Sequence, residues 1–423
     1  MSNLVPEGWL INNYGSLLSG KLTNGLYKHA DFYHHGNAKI LDIAYLFNKD
    51  KLNLSSCSSI SLSEIETTKY KLCVGDILFN RVSVKPEGVG QCVIVEEHNF
   101  DLVYESNIIR STLNEKLVNP RFLSYLLNSE SLRKAIFIRA KITAQASIGQ
   151  EDLLSLELLL PPLPEQKKIA AILTSVDEVI EKTQAQIDKL KDLKTGMMQE
   201  LLTRGVGVDG KPHTEFKDSP VGRIPKGWEV LPLSKVAKLE RGKFSHRPRN
   251  DPSFYNGDIP FLQTGDIPKK SPYITKYSQT LNEKGLGVSK LFPKGCLVIT
   301  IAATIGEIGI LEFDSCFPDS LVGLKVNPKK ADSMFILYVM RHLKEELDLL
   351  APQTAQKNIN LDILNPFSIP VPPIEEQRQI SKALESVDGR LGILGNKLIK
   401  IQDIKKALMQ DLLTGKKRVK VDS

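Results

Sequence analysis

Cysteine is scarce in this chain: five residues in 423 (Cys57, Cys73, Cys92, Cys296 and Cys316), an odd number with no C-x-x-C pair. That argues against a disulfide framework and a structural zinc site, and points to a reducing compartment. Long apolar runs are also missing. The uncharged run from Cys296 to Gly306 has eleven residues, well short of the ~20 that span a bilayer. The first residues, Met1-Ser2-Asn3-Leu4-Val5-Pro6-Glu7, carry neither a basic nor an apolar stretch, so no secretory signal is expected. These absences predict a cytoplasmic protein without a membrane partner. No compositional bias stands out: 28 Gly and 23 Pro are near average and exclude collagen-like or broadly disordered chains. Nor does one charge dominate. Fifty-six Lys+Arg against 49 Asp+Glu give +7, which permits an acidic partner without requiring one. With 41% hydrophobic and 25% charged residues, the chain is long enough for two or three domains with cores of their own.

What the sequence does contain is itself, twice. Leu160-Pro161-Pro162-Leu163-Pro164-Glu165-Gln166 returns 211 residues later as Val371-Pro372-Pro373-Ile374-Glu375-Glu376-Gln377. The same offset carries Ser175-Val176-Asp177 onto Ser386-Val387-Asp388 and Met198-Gln199-Glu200-Leu201-Leu202-Thr203 onto Met409-Gln410-Asp411-Leu412-Leu413-Thr414. It also carries Thr143-Ala144-Gln145 onto Thr354-Ala355-Gln356. Further back the offsets drift. Pro6-Glu7-Gly8-Trp9 matches Pro225-Lys226-Gly227-Trp228, Gly75-Asp76-Ile77-Leu78 matches Gly295-Cys296-Leu297-Val298, and Asn119-Pro120 and Asn327-Pro328 each open a helical pattern. Drift of this kind means loop insertions between two copies of one domain.

Each copy has two parts. The first mixes short β-like runs (Ile77-Leu78-Phe79, Cys92-Val93-Ile94-Val95, Leu297-Val298-Ile299-Thr300-Ile301) with Gly, Pro and Asn turns. One helix is expected from Pro120 to about Ala140, with Asn119 as its N-cap and Pro120 at its first position. The second part is a long helix with an apolar seam that recurs by threes and fours. Its residues are Ile169, Ile172, Val176, Ile187 and Leu190 in the first copy, with a phase slip near Thr183. In the second they are Ile380, Leu384, Val387, Leu391, Leu394, Leu398 and Ile401. Proline pairs precede each helix, and Gly205 and Gly415 follow. Glu165–Thr203 and Glu375–Thr414 are 39 and 40 residues, roughly 58–60 Å at 1.5 Å per residue. A seam of that length outruns a domain of ~15 Å radius, so the two helices are expected to pack on each other. The predicted fold class is α+β: two similar globular α/β domains held apart by two long antiparallel coiled-coil helices, related by a pseudo-twofold internal repeat.

Charge separates the parts. Arg241 to Lys294 holds ten Lys/Arg against four Asp/Glu, and Arg110 to Lys141 seven against two. The helices are near neutral, six basic against seven acidic and seven against six. Basic heads on neutral spacers point to binding of a two-part DNA site. The segment Arg241 to Asn250 mixes cations with Gly and Pro, as suits contacts to phosphates or base edges. Tyr273, Lys276 and Tyr277 add aromatic and cationic groups nearby.

Catalytic signatures fail. Gly15-Ser16-Leu17-Leu18-Ser19-Gly20-Lys21-Leu22 approaches a P-loop but has Leu22 where a hydroxyl must meet Mg²⁺, and only Gly-Lys returns in its repeat partner, Gly242-Lys243. Asn365-Pro366-Phe367 and Asp251-Pro252-Ser253-Phe254 lack the second proline of an amino-methyltransferase signature. His34-His35 has no metal-ligating company at the right spacing. A non-catalytic binding subunit is the expectation.

Thr354-Ala355-Gln356-Lys357-Asn358-Ile359-Asn360, then Ile369-Pro370-Val371-Pro372-Pro373-Ile374-Glu375-Glu376-Gln377, and the stretch from Pro212 to Trp228 between the copies resemble the specificity (S) subunits of type I restriction–modification systems. Asn256-Gly257-Asp258-Ile259-Pro260-Phe261-Leu262-Gln263-Thr264-Gly265-Asp266-Ile267 resembles part of that family's second recognition domain. Gly36-Asn37-Ala38-Lys39-Ile40-Leu41-Asp42-Ile43 is a degenerate version of the same motif in the first. The resemblance covers essentially the whole chain.

It implies a non-catalytic subunit in which each head, a target recognition domain, reads one half of an asymmetric bipartite site on double-stranded DNA. The long helices would set the gap and dock two methyltransferase subunits, with motor–nuclease subunits joining the full complex. No cofactor is expected on this chain; S-adenosylmethionine, ATP and Mg²⁺ would belong to the partners. The corresponding division is a first recognition domain over 1–159, a first spacer helix over 160–205, and a connecting segment over 206–224. A second recognition domain follows over 225–369, then a second spacer helix over 370–416 and a basic tail over 417–423. In the second head the DNA-contact candidates are Arg241, Lys243, His246, Arg247, Arg249, Gln263, Thr264, Lys269, Lys270, Tyr273 and Lys357. In the first they are Lys21, Lys28, His34, His35, Lys39, Arg81, Arg139 and Lys141. Arg and Gln suit base edges, and Lys suits phosphates. Helices of about 58 Å against a DNA turn of ~34 Å place the half-site centres roughly 10–17 bp apart. The competing reading is a two-headed protein scaffold without sequence-specific DNA binding.

Overall fold

The computed structural model describes residues 5–46, 54, 57–207, 210–352 and 357–421; Thr354-Ala355-Gln356 lie outside them. The chain divides into two compact units, residues 1–182 with 398–423, and residues 183–397. Each unit contains one head, the first part of one long helix and the last part of the other.

In the first unit a four-stranded antiparallel sheet runs in the order Thr23–Asn24, Ile108–Ser111, Ile77–Asn80, Cys92–Ile94. Ile77–Asn80 is buried along its whole length, which is why it appears as an unbroken apolar run rather than an alternation. A second sheet places Tyr33–Leu41 between Ser58–Ile60 and Leu102–Tyr104, parallel to the latter. The expected single helix is two, Pro120–Leu127 and Glu130–Arg139. The break falls at Ser129, whose hydroxyl accepts from the Leu132 N–H and caps a new helix.

The second unit repeats this plan. Its five-stranded sheet runs Ala237–Arg241, Leu321–Val326, Leu297–Thr300, Ile308–Leu311, Tyr273–Ile274, and its four-stranded sheet runs Gln279–Leu281, Tyr255–Phe261, Ser315–Cys316, Leu291–Phe292. Gly75 and Gly295, both at positive φ, turn the chain into the equivalent strands Ile77–Asn80 and Leu297–Thr300. Each head closes on an antiparallel ribbon at the root of a long helix. Leu10 pairs with Leu160 in the first unit, and Glu229 with Val371 in the second.

One repeat assignment is corrected by the capping geometry. Asn119 caps Pro120–Leu127, but the matching helix, Ser333–His342, is capped by Asp332 and not by Asn327. Gln166 accepts from the Asn119 N–H at 2.8 Å, and Gln377 accepts from the Asp332 N–H at 2.9 Å. Asn327-Pro328 lies in the turn before: Asn327 accepts from the Lys329 N–H at 3.1 Å as Asn114 accepts from the Lys116 N–H at 3.1 Å, so Asn327 matches Asn114 and not Asn119.

The core of the first unit gathers Tyr14, Phe79, Phe122, Leu123 and Leu158 against Ile169, Ala170 and Leu173 of one long helix and Leu412 and Leu413 at the end of the other. That of the second gathers Trp228, Ile299, Phe335 and Tyr338 against Leu202, Ile380 and Leu384. The long helices are Leu163–Thr203 and Ile374–Leu412. Within the first unit Asp177 meets Lys405 at 2.6 Å, and Glu165 meets Arg418 at 2.7 Å. Within the second Lys194 meets Asp388 at 2.6 Å, and the Val206 N–H donates to Glu376 at 2.9 Å. In both, numbers rise along one helix as they fall along the other, so the segments are antiparallel. Of the seam residues, Ile169, Ile187, Ile380, Leu384 and Val387 are buried, while Ile172, Val176, Leu190, Leu391, Leu394, Leu398 and Ile401 are half-buried. Thr183, where the seam slips phase, is itself buried.

All five cysteines are free thiols. Burial pushes Cys92 and Cys296 up to about 12, so they pack as small apolar groups. Among the described residues no helix is long and apolar enough to cross a membrane.

Candidate nucleic-acid interface

The basic loop of the second head is organised by its own arginines. Gly242 opens it under the backbone of Phe317 and Pro318: a Cβ there would lie 2.4 and 2.3 Å from their carbonyl oxygens. Arg241 donates through Nε to the Asp319 carbonyl at 2.5 Å, and Arg249 donates through Nη2 to both Asp319 carboxylate oxygens at 2.8 Å. Arg247 donates to the Phe244 and His246 carbonyls, each at 2.7 Å. His246 stacks on Phe254 at 4.0 Å and meets Asp251 at 3.2 Å. The Ser253 backbone N–H, donating to Asp251, holds that carboxyl below its ordinary range. These contacts fix the loop while leaving the arginines exposed at its surface.

Lys243, Lys269 and Lys270 are exposed and make no ion pair among the described residues, so their charge is uncompensated locally. Lys357 pairs with Asp348 at 3.2 Å. Tyr273 donates to Glu385 of the second long helix at 2.9 Å; burial, then that carboxylate, push its hydroxyl up to about 12. Gln263 and Thr264 lie at the end of strand Tyr255–Phe261, and Gln263 Nε2 donates to Gln279 Oε1 at 2.9 Å.

In the first head Lys28 pairs with Glu66 at 2.9 Å and lies over the Phe32 ring at 4.4 Å. Lys39 donates to the Cys57 carbonyl and the Ser59 hydroxyl at 3.1 Å. Arg81 donates to Asn107 at 3.2 Å, and Arg139 to the Ala135 carbonyl at 3.0 Å. Lys21 and Lys141 are exposed. His34 and His35 sit on a bulge in strand Tyr33–Leu41, His34 at φ 72°.

That bulge aligns the two heads. Asn256, at φ 62°, occupies the same bulge in Tyr255–Phe261, and Ile60 and Leu281 are the partners that each bulge straddles. In this register Gly36 corresponds to Gly257 and Asp42 to Gln263, so the degenerate motif of the first head is in the same place as the full one. The Gly20-Lys21 match to Gly242-Lys243 does not survive. A Cβ on Gly25 would meet the Tyr104 and Glu105 carbonyls at 2.2 Å, which is the position Gly242 takes against Phe317 and Pro318. Gly242-Lys243 therefore matches Gly25-Leu26.

Sequence reasoning missed two groups on the second head. Gln279 is one. The other is Glu240, which takes Lys238 at 2.6 Å, Lys290 at 2.9 Å and Lys325 at 3.4 Å. Lys238 and Lys325 are directly opposite in the sheet, a like-charge pairing that is unfavourable alone and is held together by this carboxylate. Glu240 is drawn down to about 2, first by Lys238 and then by Lys290. Strand register brings Lys238, Glu240 and Lys325 together, and Lys290 joins them from just before strand Leu291–Phe292.

Two stretches, residues 17–192 and 225–403, match the model of the type I restriction modification DNA specificity domain. The chain belongs to the type I restriction–modification DNA specificity family. A Methanocaldococcus jannaschii protein described as the MjaX specificity subunit of a type I restriction enzyme is 32% identical, covering 98% of this chain and 95% of its own. The MjaVIII specificity subunit from the same organism is 30% identical over 75% of each chain. The crystal structure of a type I S subunit from M. genitalium shares the fold, with a TM-score of 0.61 at 14% identity and 96% coverage of both chains. Like its relatives this family member is a specificity subunit, a non-catalytic role, and the duplicated heads are its two recognition domains.

Proposed function

We propose that the two heads read the two halves of an asymmetric bipartite site on double-stranded DNA, while the long helices set the gap and dock two methyltransferase subunits. In the complete complex, motor–nuclease subunits join them. S-adenosylmethionine, ATP and Mg²⁺ serve those partners, and this chain contributes the choice of sequence.

The observation that carries this reading is that the heads share a scaffold but not a surface. The bulge, the ribbon and the Gly25/Gly242 crossing recur, whereas Asp42 replaces Gln263 and Leu26 replaces Lys243 at matching positions. Shared geometry with divergent side chains is what two readers of different half-sites need. In the second head Arg241, Arg247, Arg249 and Gln263 are suited to base edges, and Lys243, Lys269 and Lys270 to phosphates. His246, Thr264 and Lys357 border the same loops. Tyr273 supports the head against its helix. In the first head Lys21, Lys28, His34, His35, Lys39, Arg81, Arg139 and Lys141 take the corresponding contacts.

The test is to co-express the chain with its methyltransferase subunit in a host without adenine methylation, and to map methyladenine across the genome. A single motif with two different halves and a fixed gap is expected. A stable complex that methylates without sequence preference overturns the reading.

A further inference from the structure

Beside the basic loop of the second head lies a cleft of about 410 Å³ whose walls include Phe244, Tyr255, Phe261 and Pro318 and whose rim carries Arg249, Gln263 and Gln279. Its floor is aromatic, with the Phe244 ring 5.3 Å from Phe261 and 5.8 Å from Tyr255. The Tyr255 hydroxyl donates to the Arg249 carbonyl and ties the floor to the loop.

The two glutamines at the rim are not independent. Gln263 Nε2 donates to Gln279 Oε1 at 2.9 Å, so the two amides form one unit. Each is fixed from behind. The Gln263 N–H donates to the Asp266 carboxylate at 2.7 Å, and Ser278, the neighbour of Gln279, donates to the same carboxylate oxygen at 2.9 Å. Gln279 is also held in the sheet opposite Phe261. Once the inner hydrogen bond is made, the pair retains a carbonyl oxygen on Gln263 as acceptor and an N–H on Gln279 as donor. Gln279, held by Gln263, keeps its Nε2 as donor and the second lone pair of its Oε1 as acceptor on one amide, which complement the N7 acceptor and N6 amino donor of adenine in the major groove. The apolar cleft alongside suits the thymine methyl of the same base pair.

We infer that Gln263 and Gln279 act as a single amide pair that reads one A·T base pair in the half-site of the second head. This deepens the proposed function and rests on it. At the equivalent positions the first head carries Asp42 and Ser58, so it has no such pair and that half of the site is read by other chemistry.

The experiment uses the full-length chain co-purified with its methyltransferase subunit, and maps methyladenine for the wild type, Gln279→Ala, Gln263→Ala and Gln279→Glu. The expected result is that both alanine variants relax one A·T position in one half of the motif. Discrimination there should fall roughly 5- to 150-fold, the loss of one bidentate base contact, while the other half stays intact. Gln279→Glu replaces the donor by an acceptor and should move the preference at that position from adenine towards cytosine. A wild-type motif that persists unchanged in all three variants overturns the amide pair and leaves the proposed function standing. Uniformly weaker methylation with no change of motif makes the pair a structural strut and overturns it equally. A wild-type complex without any bipartite motif overturns the proposed function and the pair together.

Discussion

Lys194 and Lys405, at equivalent positions in the two long helices, make the same contact twice. Lys194 donates to Asp388 at 2.6 Å, and Tyr338 donates to that carboxylate at 2.8 Å. Lys405 meets Asp177 at 2.6 Å, and Tyr125 donates to Asp177, also at 2.6 Å. In each set the lysine lies over the tyrosine ring, at 5.6 and 5.5 Å. Burial, then the carboxylate, raise the hydroxyls of both tyrosines well above the ordinary value, so they remain donors at neutral pH. Each set joins the two helix segments of a unit to one helix of its head, Pro120–Leu127 in the first and Ser333–His342 in the second.

Burial separates their strengths. The side chains of Lys194 and Asp388 are 15% and 9% exposed, against 27% and 29% for Lys405 and Asp177. Asp388→Ala strands a lysine and a tyrosine hydroxyl and should cost roughly 3 kcal/mol, whereas Asp177→Ala should cost about 1 kcal/mol. Denaturant unfolding of the full chain measures both, and equal losses would contradict the assignment.

The chain has two tryptophans, and each donates to a buried glutamate at the start of a long helix. Trp9 donates to Glu165 at 3.3 Å and Trp228 to Glu376 at 3.0 Å. Glu376 also accepts from His213 and from the Val206 and Gly207 N–H groups at 2.8–2.9 Å. Glu376→Ala leaves all of these without their acceptor and should destabilise by roughly 3–5 kcal/mol. In a Trp9→Phe background, the emission of Trp228 should shift with the same substitution. Unaltered emission would show that the hydrogen bond is not formed in solution.

Glu240 predicts an acid response with a definite sign. Its carboxyl lies at about 2 when folded, against an ordinary 4.5, so the stability it contributes is present above about pH 4.5 and is lost as pH falls through about 2. Glu240→Gln should flatten that part of the acid unfolding curve and leave Lys238 and Lys325 opposed without a counterion. A variant with an unchanged acid profile would refute the role.

Lys243, Lys269 and Lys270 should act on DNA through phosphate alone. Replacing any one by alanine should weaken binding of the co-purified complex similarly for all sequences and reduce the slope of log affinity against log salt by about 1. Fluorescence anisotropy over a salt series reads both. A change of motif would instead make that lysine a base reader.

If the helices set the gap, deleting one heptad from each removes about 10 Å and should shorten the preferred gap by about three base pairs. A gap that stays fixed in the methyladenine map would remove the helices from that role.

The repeat, the long helices and their seam were legible because periodic apolar positions and proline entries are local signals. Pro-Glu-Gly-Trp and Pro-Lys-Gly-Trp were legible as matched words, but the ribbons that follow them and the Trp–Glu contacts were not. The site was less so. Tyr273 belongs to a helix contact made by Glu385, 112 positions away, and Gln279 matters only because strand pairing brings it to Gln263. Neither partner leaves a trace in local sequence. The split of the expected helix at Ser129 turned on one hydroxyl, the misplaced cap on an Asn-Pro pair that occurs at different places in the two copies, and the misplaced glycine on a change of loop length.

The first unit is assembled from both ends of the chain, with Arg418 donating to Glu165 at 2.7 and 2.8 Å and to the Glu7 carbonyl at 2.8 Å. The second unit comprises residues 183–397. The first head's unit therefore takes its closing residues from the part of the chain made last, and the second head's unit does not. A nonsense codon shortly after residue 397 would leave the later-made domain whole and the earlier-made one open.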